Sequence, residues 1–163
     1  MQPDIIEGCD IVKPGLYRDS EGGENMILES YGFVEVGNWQ PGRDKSKIEA
    51  RLSRFANERA VYAFVVDNEV KYIGICDNPK TTLKKRMGSQ RYNKCMPDLI
   101  RKALEADKVV KIFALVPEDF EYRGLKVDFV RGLEYPLIDK LNNPPWNDEL
   151  KKWRRRKRQD KKG

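Results

Sequence analysis

Tyr62 and Tyr72 stand on two neighbouring apolar runs, Val61-Tyr62-Ala63-Phe64-Val65-Val66 and Val70-Lys71-Tyr72-Ile73-Gly74-Ile75, with Asp67-Asn68-Glu69 between them. Such runs predict the two strands of a hairpin. If Val66 pairs with Val70 across a three-residue turn, Tyr62 lies opposite Gly74 and Phe64 opposite Tyr72. Strand alternation then puts both phenols on one face, and a slip of one residue would separate them. Gly74 beside Tyr62 would leave room for a substrate or another backbone. By themselves two strand tyrosines are ordinary core or surface aromatics.

Two further residues break the bland reading. Val130, Glu134, Leu137, Ile138 and Leu141 recur at helical intervals, so one carboxylate interrupts an apolar stripe. A charge directed inward has to be paired or bound to a cation, because leaving it alone costs several kcal/mol. An edge position reaching solvent, or a salt bridge to an Arg, would answer the same need. Arg86, within Lys84-Lys85-Arg86, supplies a guanidinium suited to the charge of a phosphoryl transition state. A basic helix face is, however, more often merely solvated. The chain has no His, so the commonest general base is missing. Any catalysis must draw on Tyr, Lys, Asp, Glu or a metal-activated water.

The elements that must position these groups are legible in outline. Residues 1–44 are rich in turn formers, Lys13-Pro14-Gly15, Asp19-Ser20-Glu21-Gly22-Gly23 and Trp39-Gln40-Pro41-Gly42-Arg43. Met26-Ile27-Leu28 and Phe33, Val34 and Val36 are expected as short strands among them. Ile48, Leu52 and Phe55 predict an amphipathic helix over 45–57. After the hairpin, Asp77-Asn78-Pro79 breaks the strand, and Thr81 or Thr82 can cap a helix carrying Leu83, Arg86 and Met87. Pro97 begins another helix, Val109–Val116 is a third strand ended by Pro117, and a helix follows from about Val127 to Leu141. Asn142-Asn143-Pro144-Pro145 ends it, and Pro136 inside it implies a kink or a late start. The expected fold is α+β, a small mainly antiparallel three-stranded sheet flanked by helices. Its divisions are an N-terminal extension packed on the core (1–58), a core domain (59–150) and a basic tail (151–163).

Charge is distributed unevenly. The 163 residues carry a net +6, but residues 151–163 hold nine Lys or Arg against one Asp, a surplus of +8, so residues 1–150 stand at −2. A run of this kind attracts polyanions by counterion release, or serves as a solvated end. Cys9, Cys76 and Cys95 show no paired spacing, and with no His a zinc site is a poor fit. Free thiols in a reducing, cytoplasmic compartment are the simpler expectation. Neither a secretory signal nor a membrane-length apolar run is present.

Taken in order, Ala60-Val61-Tyr62, Lys71-Tyr72-Ile73-Gly74, Leu83-Lys84-Lys85-Arg86, Leu133-Glu134-Tyr135-Pro136-Leu137-Ile138 and Pro144-Pro145-Trp146-Asn147 resemble the five successive motifs of GIY-YIG nucleases. The YIG triplet is intact, whereas the first triplet keeps only its Tyr. The resemblance spans roughly half the chain and implies metal-dependent hydrolysis of DNA. Tyr62 would activate the attacking water, and Tyr72 would position that water or the scissile phosphate. Arg86 would stabilise the transition state, and Asn147 would brace the site. Glu134 would hold the metal, Mg²⁺ by default with Mn²⁺ an alternative. Lys84 and Lys85, with Arg154, Arg155 and Arg156 in the tail, would meet the DNA backbone. Two positions depart from the family. Ile75 stands where many relatives have Lys, and Gln90, with Tyr92 nearby, stands where His or Tyr is common. Lys71 is a secondary candidate for aiding the base, although alternation points it to the opposite face.

Compact size and extensions around a single core resemble the restriction-endonuclease branch, whose members commonly pair as homodimers. A repair or mobile-element nuclease is an alternative. So is a non-catalytic nucleic-acid-binding module of the same fold, or a protein that binds RNA or ribosomes through Lys151–Lys162. Trp153 and Trp146 could stack on bases, or Trp146 could pack the helix end.

Overall fold

The computed structural model describes residues 24–44, 46–90 and 95–161. The turn-rich stretches before residue 24, together with Cys9 and Tyr92, lie outside them. Helix α1 (Glu24–Ser30) leads into strands β1 (Val34–Pro41) and β2 (Ile48–Leu52), then the hairpin β3 (Val61–Val66) and β4 (Glu69–Ile75). Helices α2 (Leu83–Gln90) and α3 (Cys95–Glu105), strand β5 (Val110–Leu115), a small hairpin of β6 (Phe120–Tyr122) and β7 (Leu125–Val127), and helices α4 (Phe129–Lys140) and α5 (Pro145–Asp160) complete the chain. The α+β class is as expected.

The sheet has five strands rather than three, in the order β2-β1-β5-β3-β4 and antiparallel throughout. The three expected strands are β3, β4 and β5, and the N-terminal segment adds two more. This segment is therefore part of the sheet, with β1 hydrogen-bonded directly to β5.

Residues 45–57, expected as a helix, instead contribute β2, which pairs with β1 from Gly37↔Leu52 to Pro41↔Ile48. Ile48 and Leu52, four apart, share a face in a strand as well as in a helix, and partner strand β1 decides between the two. The reverse error occurs at Met26-Ile27-Leu28, which lies in α1, with Leu28 buried and Ile27 exposed. Gly32, at φ +89°, closes that helix as its N–H bonds Glu29 O at 2.9 Å and Phe33 N bonds Leu28 O at 3.1 Å. The β6–β7 hairpin was not expected either. Its turn uses Arg123 and Gly124, both at positive φ.

Two layers of helices cover the sheet. Tyr62, Phe64, Val66 and Tyr72 face α2, α3 and α5, together with Leu83, Met87, Ile100 and Leu150. Val61, Ala63, Val65, Val70, Ile73 and Ile75 face α1 and α4, with Leu28, Val130, Leu137 and Leu141. Helix α4 runs through Pro136 rather than starting at it. Proline has no N–H for the carbonyl of Gly132, one turn earlier, and Gly132 faces open space. Asn142 and Asn143, both at positive φ, then turn the chain into α5. Among the described residues no helix is long and apolar enough to cross a membrane.

Candidate active site

The β3–β4 hairpin reaches the expected tyrosine pairing by a different route. Tyr62 lies opposite Gly74 and Phe64 opposite Tyr72, but Val66 pairs with Glu69 and Val65 with Val70, not Val66 with Val70. The turn is Asp67-Asn68, both at positive φ, the two-residue geometry that matches strand twist. One extra residue, Lys71, is then absorbed as a bulge between Phe64 and Val65. The shorter turn and the bulge cancel. The bulge also explains why Val70 and Tyr72, two apart, face opposite layers.

Tyr62 is 0% exposed and Tyr72 5%. Their rings lie 6.0 Å apart and tilted, and a hydrogen bond joins their hydroxyls. Phe64 packs against both rings at 5.5 and 5.4 Å. Gly74 does not open a gap for substrate, contrary to expectation. A Cβ there would sit 2.6 Å from the Tyr62 ring carbon and hydroxyl and 2.7 Å from the Tyr72 ring. The missing side chain is the space the two phenols occupy.

Arg86 comes from α2, whose start is held by backbone: Leu83 N donates to Glu58 O at 2.8 Å and Lys84 N to Ala56 O at 2.9 Å. Thr82, one of the two expected caps, accepts from Lys85 N at 3.4 Å. One turn into α2, Arg86 Nε donates to the Tyr62 hydroxyl at 3.4 Å, and its Nη1 lies 3.4 Å from Asp77 Oδ1. The guanidinium therefore lies against the buried Tyr62 hydroxyl and is held laterally by a carboxylate. Burial opposes its charge, but Tyr62, Asp77 and Tyr72 outweigh burial and raise its pKa.

Glu134 lies in the apolar stripe of α4, half-buried beside the β4 edge. Burial pushes its carboxyl pKa upward and Asp77 adds to the rise, while Arg86 and Arg154 pull it back. Burial likewise raises the Tyr72 phenol, opposed by the bond to Tyr62 and the charges of Arg86 and Arg154. Helix α4 packs on one sheet face and the tyrosines lie on the other, and Glu134 acts on Tyr72 and Arg86 through its charge. Among the described residues no three His, Cys, Asp or Glu side chains gather into a metal cage. A single carboxylate is nevertheless a fitting donor for Mg²⁺, which is held through one or two carboxylates plus substrate phosphates and retains several waters. Glu134 forms no hydrogen bond or ion pair with another described residue, so its oxygens are available as ligands.

Asn147 is 7% exposed and reaches from α5 to the centre of β4. Its Nδ2 donates to Ile73 O and its Oδ1 accepts from Ile73 N, each at 2.8 Å. On an edge strand the outward N–H and C=O of one residue are otherwise left unpaired, and the carboxamide satisfies both. Ile73 lies between Tyr72 and Gly74, so Asn147 fixes the segment that carries the tyrosine pair.

The other expected residues lie on the hairpin end, α2 and α5. Lys71 is bonded to Glu69 at the hairpin end. Lys84 and Lys85 are exposed on α2. Gln90 ends α2, and its side chain lies outside the described residues. Arg154, Arg155 and Arg156 are not in a loose tail, because Lys151–Asp160 continue α5. Trp146 and Trp153 are partly buried against the core, and Lys157 lies 5.3 Å from the Trp153 ring. Neither indole is therefore free to stack fully on a base.

One arrangement went unpredicted. Arg59 holds Asp128, the N-cap of α4, through two bonds of 2.8 and 2.7 Å, and donates through Nε to Cys76 O at 2.8 Å. Arg131, one turn into α4, donates to Asp77 O at 3.0 and 2.8 Å. The helix carrying Glu134 is thus tied to the backbone of the residue whose side chain holds Arg86. Arg59 and Asp128 are 69 positions apart, and neither breaks a local pattern. Only the doublet of an N-cap Asp before an apolar helix was there to be read.

No family model and no curated protein matches this chain. Among solved structures, a bacteriophage T4 EndoII mutant is similar at 22% identity, over 76% of this chain and 97% of that one, with a TM-score of 0.60. The restriction endonuclease HPY188I in complex with product DNA is similar at 18% identity, over 78% of this chain and 85% of that one, with a TM-score of 0.44. The likeness to the phage protein is one of fold.

Proposed function

We propose that this chain is a DNA endonuclease of the GIY-YIG type that hydrolyses phosphodiester bonds with a divalent cation at Glu134, and that it cuts at specific sites as restriction-type enzymes do. The observation that carries the reading is the joining of Tyr62, Tyr72 and Arg86 by hydrogen bonds, with the half-buried Glu134 in their field. The fold shared with the phage EndoII is consistent with it.

In this reading Arg86 exchanges Asp77 for a phosphate oxygen. Guanidinium binds phosphate through two parallel hydrogen bonds, whereas its contact with Asp77 is a single 3.4 Å approach. Turning toward the phosphate also uncovers the Tyr62 hydroxyl, which releases its own proton to solvent beside the Arg86 charge and then, as the phenolate, orients the attacking water and takes its proton. Tyr72, hydrogen-bonded to Tyr62, keeps that hydroxyl aimed. Asn147 holds β4 still while Arg86 moves. Mg²⁺ or Mn²⁺ on Glu134 would neutralise charge on the phosphate and stabilise the departing oxygen. A homodimer would supply one site for each DNA strand.

The test is incubation of plasmid and genomic DNA with Mg²⁺, with EDTA, and with Glu134→Ala protein. Discrete fragments that require the metal and Glu134 are expected. A metal-dependent smear would retain the nuclease and remove its site specificity. Salt-sensitive binding without cutting would leave a non-catalytic DNA-binding module, the reading that the complete burial of Tyr62 favours.

A further inference from the structure

Helix α5 is not a uniform basic surface. Asn147 points at β4, and Leu150, three residues on, is buried. At about 100° per residue, Arg154 returns to within about 20° of the Asn147 direction, two turns and about 10 Å further along. Arg156 projects from the opposite side, and Arg155 lies between the two. The helix is held in that rotation by both Asn147 bonds, by Leu150, and by Trp153 against the core. The phase of Arg154 is therefore fixed by the same contacts that brace the tyrosines.

The neighbouring lysines are already engaged, and Arg155 and Arg156, which form no hydrogen bond or ion pair with another described residue, differ from Arg154 by the side of the helix they project from. Lys152 is paired with Asp148 and Glu149, Lys151 donates to Asn143 at 3.3 Å, and Lys157 lies over Trp153. Arg154 forms no hydrogen bond or ion pair with another described residue, and it is exposed. Its charge acts on both Glu134 and Tyr72. Arg86, the other cation felt by both groups, is half-buried and held by Asp77. Two guanidiniums on different helices, α2 and α5, thus act through their charge on one carboxylate and one phenol, and of the two only Arg86 is held by a partner.

We infer that Arg154 is a phosphate-binding residue of the site itself, gripping the DNA backbone phosphate next to the one that Arg86 takes. The inference rests on the nucleic-acid reading above. Arg155 and Arg156 contribute to the general attraction of DNA from other sides of the helix. Through α5, the grip of Arg154 and the brace of Asn147 form one rigid unit, so a bound phosphate also bears on the tyrosine-bearing strand.

The experiment uses the full chain and a short labelled duplex. Wild type, Arg154→Ala, Arg154→Lys and Arg156→Ala are compared in single-turnover cleavage with Mg²⁺ at saturating protein. Arg154→Ala should lose at least tenfold more rate than Arg156→Ala, with Arg154→Lys recovering part of the loss. Equal rates for the two alanine variants would overturn the inference. If wild type cuts nothing, the nuclease reading has failed, and binding in EDTA then decides. Glu134→Ala and Arg154→Ala are combined in a double-mutant cycle on duplex affinity. Non-additive effects of threefold or more are expected, whereas additive effects would place Arg154 outside the site and overturn the inference.

Discussion

Glu134 must be ionised to hold a cation, yet its burial raises the pH at which it loses its proton. Proton and metal therefore compete at a higher pH than at an exposed Glu of pKa about 4.3. At limiting Mg²⁺, cleavage should fall on the acid side above that value, and the limb should move to lower pH as Mg²⁺ is raised. A metal-independent acid limb would assign the titration to another group. Tyr62→Phe keeps the ring packing and removes the hydroxyl that Arg86 meets at 3.4 Å. The variant should melt near wild type and cleave about 10²–10⁴-fold more slowly, the usual weight of a general base. Single-turnover rates alongside thermal melts would check it. The placement of these three side chains was legible, Glu134 as a charge in an apolar stripe and the two tyrosines through strand alternation. The role of Gly74 was misread because sequence cannot tell whether the space beside a glycine is empty or filled by rings.

At the scale of elements, the site depends on how α4 and α5 are fastened to the edge strand. Asn147→Ala would strand the N–H and C=O of Ile73, at a cost of about 1–3 kcal/mol. For a chain of this size each kcal/mol lowers Tm by about 2–4 °C, so differential scanning calorimetry should show a clear drop. An unchanged Tm would mean that water replaces the carboxamide without loss. The Arg59 bond holds the Asp128 carboxyl below its usual range. Its folded-state pKa is lower than its unfolded one, so its contribution is complete above about pH 3.9 and is lost as pH falls through the lowered value. Asp128→Asn should therefore melt below wild type near neutrality, and the gap should close in acid. A constant gap across that range would show that ionisation of Asp128 is not what counts. The expected order of β3, β4, α2, α3, β5 and α4 agreed with the structure because the strands are short apolar, β-branched runs bounded by turn residues or Pro and the helices carry apolar stripes at helical spacing. Residues 45–57 did not, since a four-residue spacing fits a helix and a strand equally, and only pairing with β1 resolves it.

Over the whole molecule, a nearly neutral body carries a strongly basic helix. Composition revealed the charge but not its rigidity, because the anchoring contacts of Asn147, Leu150 and Trp153 are made to distant strands and helices. A chain ending at Leu150 should therefore lose stability as well as affinity for DNA. Its log–log salt slope should become shallower by about 0.9 for each phosphate contact removed, as read by titration across salt. A truncated protein of unchanged Tm would show that the end of α5 is energetically separate from the core. In the proposed function Tyr62, Tyr72, Arg86 and Glu134 form a metal-dependent phosphodiesterase centre. Its most direct test is cleavage of an end-labelled duplex by wild-type and Glu134→Ala proteins, both at saturating concentration in Mg²⁺. Cutting by wild type alone, abolished by EDTA, is the predicted result. Equal cutting by both proteins, or none by either despite full binding, would contradict the claim.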